Sequence, residues 1–198
     1  MKIEKEELKK QIRDLIRRGY LQPSEVPNID LYIEQVIQLL DRYLASYKRT
    51  DDEKTLTKTM VNNYTKNGLL PPPEKKRYNR DHIILLLLVY YMKSVLSISD
   101  IQALVDPLVR DYYQGREDDD TLMKVYETLY DLEKRQYFES QNSILKTLEL
   151  SKRNTGDKDD EYLHNFVFLC LMGYDIFIKK KMMEHIIDDM QKEKEEKP

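Results

Sequence analysis

The chain has little of what marks several large classes of protein. One cysteine, Cys170, stands among 198 residues. A disulfide framework within the chain is excluded, and a cytoplasmic setting is expected. Five glycines and seven prolines are too few for a many-turned β architecture, and the abundance of Leu, Lys, Glu, Ile and Tyr favours helices. Long apolar runs are missing too. The most apolar stretches, 83–92 and 166–172, fall well short of the roughly 20 residues that cross a bilayer. They read as buried core helices, and no membrane partner is expected. Residues 1–18 are charged throughout and lack the apolar centre of a secretory leader.

The chemistry of catalysis is equally sparse. The three histidines, His82, His164 and His185, lie far apart. No two-cysteine or His-x-x-x-His spacing offers a metal site, and neither a glycine-rich phosphate loop nor a nucleophile elbow occurs. The acidic clusters at 118–120 and 157–161 lack the ordered ligand spacing of a calcium loop, so they read as solvated helix starts. Cys170 lies in an apolar run and reads as a small core residue rather than a nucleophile. His82 is expected at a helix start. His164 is expected in core packing, with a pocket beside Tyr162 and Phe168 as the alternative. The expectation is a protein that is not an enzyme, with no metal and no cofactor.

What the sequence does hold is a succession of helical patterns. Residues 2–18 carry apolar positions at Ile3, Leu8, Ile12, Leu15 and Ile16, with Gly19 as a stop. Residues 29–47 repeat them at Ile33, Val36, Ile37, Leu40 and Leu44, with Asp30 as the expected cap. A short helix over 57–67 follows, capped by Thr57 and ended by Gly68. Pro71-Pro72-Pro73 then stiffens the chain before a basic hairpin or loop at 74–78. Asn79 is the expected cap of a central helix over 80–95. Ser97 or Ser99 caps a helix over 100–105 that Pro107 closes or kinks. Gly115 and the acidic residues 117–120 mark a boundary. Residues 122–150 form one long helix or two, with Leu122, Val125, Leu129, Leu132, Tyr137, Ile144 and Leu148 inward. Residues 151–160, with Gly156, form a polar link, and 161–191 the last helix. The fold class is therefore all-α, in three parts: an N-terminal helical arm (1–25), a middle domain (26–114) and a C-terminal helical region (115–198).

Charge is uneven. The net value is −3, yet residues 48–80 hold nine basic against four acidic residues, and 106–139 hold five against ten. An acidic protein can still present one positive face. The helix at 57–67 suits that face. Met60, Val61 and Tyr64 share one side, leaving Lys58, Thr59, Asn62, Asn63 and Lys66 outside. A major groove accepts one helix, Asn can pair with adenine, and Lys can bond guanine or phosphate. Thr57 and the first-turn amides can meet a phosphate. Lys75, Lys76 and Arg77 follow within reach of the flanking backbone.

Residues 56–108 resemble the DNA-binding domain of MerR-type regulators. Tyr64, Lys66, Gly68-Leu69-Leu70 and Pro71-Pro72-Pro73 resemble the end of that family's recognition helix and the turn after it, and Tyr78 its last wing tyrosine. Asp81-His82-Ile83 and Leu96-Ser97-Ile98-Ser99-Asp100-Ile101 resemble its next two helices. A longer stretch, 26–108, is similar to the bacterial family described as domain of unknown function 1836. The motifs are residues 29–32, Leu56-Thr57-Lys58-Thr59-Met60-Val61-Asn62-Asn63-Tyr64, and residues 68–73 with Lys75-Lys76-Arg77-Tyr78. The resemblance implies a winged helix-turn-helix with a C-terminal helical bundle, acting as a transcriptional regulator on double-stranded DNA. It implies phosphate-type roles for Tyr64, Lys66 and Lys76. A homodimer through the C-terminal helices is the corresponding partner, against packing of those helices within one subunit. An unknown small-molecule effector is a further expected partner. The alternative is a protein-interaction or ligand-sensing module that keeps this shape without DNA.

Overall fold

A helix with no polar side has to be surrounded, and the stretch from Ile83 to Val89 dictates the centre of the molecule. In the computed structural model, which describes residues 3–18, 21–113, 121–154 and 160–195, that stretch lies in α4 (Arg80–Met92). Ile83, Ile84, Leu85, Leu86 and Leu87 are all fully buried. Asn79 caps α4, its side-chain oxygen accepting the His82 amide at 3.1 Å, which satisfies one of the donors a helix start leaves free.

Around α4 stand α2 (Ile33–Leu44), α3 (Lys58–Lys66) and α5 (Ile98–Tyr112). They contribute Val36, Leu40 and Leu44, then Val61 and Tyr64, then Ile101 and Val105, to one continuous core. Two short strands, β1 (Leu31–Tyr32) and β2 (Arg77–Tyr78), pair antiparallel in the register Leu31 to Tyr78 and Tyr32 to Arg77. Leu31 and Tyr78 face the core, while their neighbours face out. The C-terminal part is a hairpin of α6 (Leu122–Asn154) and α7 (Glu161–Glu195), with α1 (Lys5–Arg18) packed on α6. Lys5 pairs with Glu149 at 2.7 Å, and Lys152 donates to the Ile3 carbonyl at 2.9 Å. Leu122 and Tyr126 enter the same core as α4, and the Tyr126 hydroxyl donates to the Leu21 carbonyl at 2.5 Å. The core therefore extends past residue 114 into the first turns of α6.

The mostly helical architecture agrees with the sequence reading, and four local expectations are corrected. The helix expected over 29–47 starts at Ile33, because Leu31 and Tyr32 are taken by the β pairing. Its start is closed not by Asp30 but by the Gln35 side chain, which accepts the Tyr32 amide at 2.9 Å. Pro107 does not end α5, which runs through it to Tyr112; Ile101 and Val105, both fully buried in the core, anchor the helix on the N-terminal side of the proline. Residues 122–150 form one helix, as one of the two expected forms has it, with Leu122, Tyr126, Leu145 and Leu148 buried, but Leu132, expected inward, is exposed. Finally, Cys170 is exposed, and Phe166 and Leu169 beside it lie half or more open. The apolar run at 166–172 is therefore covered on one side only, with Phe168 buried and Phe166, Leu169 and Cys170 open. The readings placed at Gly19, Gly115, 117–120 and Gly156 lie outside the described residues. No helix among the described residues is long and apolar enough to cross a membrane.

Candidate nucleic-acid interface

Helix α3 is built to show one side. Thr57 is extended (φ −127°, ψ 159°), and its hydroxyl oxygen accepts the Met60 amide at 3.1 Å. With Val61 fully buried and Tyr64 only 6 % exposed, the helix is seated from behind. Lys58, Thr59, Asn62, Asn63 and Lys66 all face solvent. The far end closes as a Schellman turn. Leu69 N–H donates to the Tyr64 carbonyl at 2.9 Å and Gly68 N–H to the Thr65 carbonyl at 3.2 Å. This closure needs the left-handed φ of +71° at Gly68, which glycine adopts without penalty. A Cβ there would also meet Gln102 Nε2 at 2.9 Å.

The basic segment after the proline run is a hairpin tip. Arg77 N–H donates to the Glu74 carbonyl at 2.8 Å, and the residues between them, Lys75 and Lys76, have φ of 47° and 64°. Two successive positive φ values define a type I′ turn, whose preferred residues are Asn and Gly. Here two exposed lysines occupy it. Beyond the turn, Arg77 lies over the ring of Tyr32, 5.4 Å from its centroid, in a cation–π contact. Tyr32 is 50 % exposed, so the ribbon shows an aromatic ring beside its charges. Tyr32 lies in a motif of the family resemblance but was not expected in the site, since only the strand register brings it to Arg77. Apolar–polar alternation around 31–32 was the available signal.

Tyr64 and Tyr78 are corrections to the sequence reading. Tyr78 is 4 % exposed and, like Tyr64, belongs to the core. Burial pushes both hydroxyls above their ordinary pKa. Tyr78 packs edge-on against His82, with centroids 5.3 Å apart, and Tyr113 does the same from the end of α5 at 5.4 Å. His82 Nε2 lies 3.2 Å from the Pro71 carbonyl. Nδ1 lies 3.1 Å from the Asn79 amide nitrogen and 2.6 Å from the Asn79 side-chain oxygen, so both ring nitrogens have polar neighbours. One buried imidazole thus ties the wing, the exit from α3 and the start of α4 together. Burial is the larger influence and holds its pKa below the ordinary value, against the Pro71 contact.

Nor do the nine basic residues of 48–80 form one positive surface. Lys58 pairs with Glu34 of α2, which lowers the Glu34 pKa through their hydrogen bond. Lys48 pairs with Asp41 at 2.8 Å, and Thr55 donates to the same carboxylate at 2.8 Å. An open cleft of 640 Å³ between α2 and the start of α3 is lined by Glu34, Asp41, Asp51, Asp52 and Glu53 as well as Lys48, Lys54 and Lys58. The beginning of α3 is flanked by acid, and the positive charge gathers at its end and on the wing. Among the described residues, Lys66, Lys75 and Lys76 make no ion pair.

A family model described as Domain of unknown function (DUF1836) matches residues 21–131. The matched stretch begins at Leu21, bonded to Tyr126, and ends just after the turns of α6 that complete the core. No curated protein and no solved structure matches the chain.

Proposed function

The chain belongs to the family described as Domain of unknown function (DUF1836), whose model covers more than half of it, and for this member we propose DNA-binding transcriptional regulation of a MerR-like helix-turn-helix type. In this reading α3 enters the major groove of duplex DNA and offers Asn62, Asn63 and Lys66 to base edges. The wing, residues 74–78, lays Lys75, Lys76 and Arg77 along the flanking phosphates. The order of strand, helix pair, returning strand and two further helices supports the likeness as an analogy of fold.

The observation that carries the proposal is the wing tip. Two lysines sit at left-handed φ, where Asn and Gly would fold more easily. Backbone strain kept on charged, exposed residues is characteristic of a contact site. Lys66 and the exposed amides of α3 supply the rest. A homodimer belongs to the same proposal, since two copies present two reading heads to a palindromic site.

The test is selection of a preferred duplex from a random pool, followed by anisotropy titrations of wild type and Asn62→Ala/Asn63→Ala. A bidentate base contact is worth ~1–3 kcal/mol. The double variant should lose about tenfold or more on the selected site and little on random duplex. Equal losses on both reject base reading by α3, and no binding at low salt rejects the proposal.

A second reading has its own support. The acid around the start of α3, with Lys58 already held by Glu34, suits a protein-interaction module that takes a basic partner in the α2–α3 cleft. Such a module shows no duplex affinity at any salt concentration.

A further inference from the structure

Helix α7 is apolar nearly all round at its start yet only one side is covered. Phe168 is buried against the rest of the chain. Between residues 162 and 178, eight large apolar side chains remain exposed, among them Tyr162 at 78 %, Leu169 at 61 % and Phe166 at 52 %. Their open surface is on the order of 800 Å². That exceeds the roughly 300–600 Å² of the largest patch on a typical monomer and matches the ~800 Å² each partner contributes to a stable interface.

The pattern within this surface is specific. Tyr162, Phe166, Leu169, Gly173, Ile176 and Lys180 recur at alternating steps of four and three residues, the spacing of a helix–helix seam. Further along, Met183 and Ile187 continue the same stripe and are covered by the chain's own core. Gly173 lies mid-helix on the open part, and a Cβ built there meets nothing within 4 Å. A glycine in this setting weakens the helix and fills no need of the single chain.

We infer that the first half of α7 pairs with α7 of a second copy, antiparallel about a two-fold axis at Gly173, whose missing side chain lets the two backbones approach. Of the seam residues, Phe166 and Lys180 stand seven positions to either side of Gly173, while Leu169 stands four before it and Ile176 three after it. Antiparallel order lays Lys180 of each copy against the Phe166 ring of the other, an attractive pairing. Parallel order sets Lys180 against Lys180. The arrangement does not require DNA, so a dimer without duplex affinity leaves it standing while removing the regulator reading.

Sedimentation equilibrium of the full chain without DNA, from about 1 to 100 µM, tests it. Wild type is expected as a dimer. Phe166→Asp, at an exposed position, is expected as a monomer with unchanged helical circular dichroism. Gly173→Ala is decisive, because Ala favours a lone helix by about fivefold. A backbone crossing makes the variant dissociate at least tenfold more readily; unchanged or tighter association overturns the crossing at Gly173, and a monomeric wild type overturns the whole inference. Antiparallel order separates the two Cys170 residues by about 9 Å along the helices, beyond disulfide reach. A Cys170–Cys170 bond on mild oxidation therefore rejects that order.

Discussion

Replacing the wing tip with the residues its geometry prefers should make the protein more stable and a poorer ligand for a polyanion. Lys75→Asn/Lys76→Gly converts the type I′ turn at φ 47° and 64° to Asn-Gly. A left-handed residue with an ordinary side chain costs roughly 1–2 kcal/mol. Asn recovers part of that, and Gly recovers it against an entropic loss of roughly 0.5–1 kcal/mol. The net gain is about 1–2 kcal/mol, or some 2–8 °C in Tm at about 2–4 °C per kcal/mol for a chain of this size. Urea denaturation at fixed protein concentration measures the gain. Loss of two phosphate contacts should flatten the slope of log affinity against log salt by about 1.8. Lys75→Gln/Lys76→Gln separates the two effects, since it removes the charges, keeps the strain, and should change only the slope. A destabilised Asn-Gly variant refutes the strain argument. An unchanged salt slope in both variants refutes a role for the tip in DNA binding.

Two further outcomes follow from buried groups. His82 has its pKa held below the ordinary 6.5 by burial, so its neutral form is favoured in the fold. Its contribution is complete above pH 6.5 and is lost as pH falls toward the lower folded value; His82→Gln should flatten the fall in Tm between pH 7 and pH 5 relative to wild type. Pro107 interrupts the α5 hydrogen-bond ladder, an interior position where proline costs about 3 kcal/mol against Ala. Pro107→Ala should therefore raise the urea midpoint by a gain on the order of 1–3 kcal/mol, and an unchanged midpoint would mean the helix bends there without loss.

Elements whose signals are local were readable from the residues alone. Thr57, Asn79 and Ser97 each cap the helix they precede, and Gly68 ends α3, because caps and left-handed turns act within a few residues. The outward face of α3 was readable for the same reason. Features set by distant partners were not. Tyr64 and Tyr78 carry hydroxyls that suit a phosphate, but the core that covers them is assembled from α2, α4 and α5. Lys58 reads as a free cation until α2 brings Glu34 beside it across 24 positions of sequence. Cys170 and Phe166 read as core because their run is apolar, and only the packing of α6 on one side of α7 shows the other side open.

The acid beside α3 also constrains how the proposed complex can be arranged. A phosphate at the start of α3 would use its first-turn amides, but the Thr57 hydroxyl already takes the Met60 amide. Glu34, Asp51, Asp52 and Glu53 surround that end, and like charge opposes a phosphate there. The exposed Lys58–Glu34 pair is of the weak surface kind, so it opens readily without altering the balance of charge. The basic groups lie instead at Lys66 and on the wing. The helix is therefore expected to meet DNA with its C-terminal half and the ribbon close to the backbone and its start tilted away. Glu34→Gln tests this, since easing repulsion at the start of α3 should tighten binding to any duplex equally. A loss of affinity on removing that carboxylate would mean that the Lys58–Glu34 pair positions Lys58 for the contact, and the tilt would be wrong.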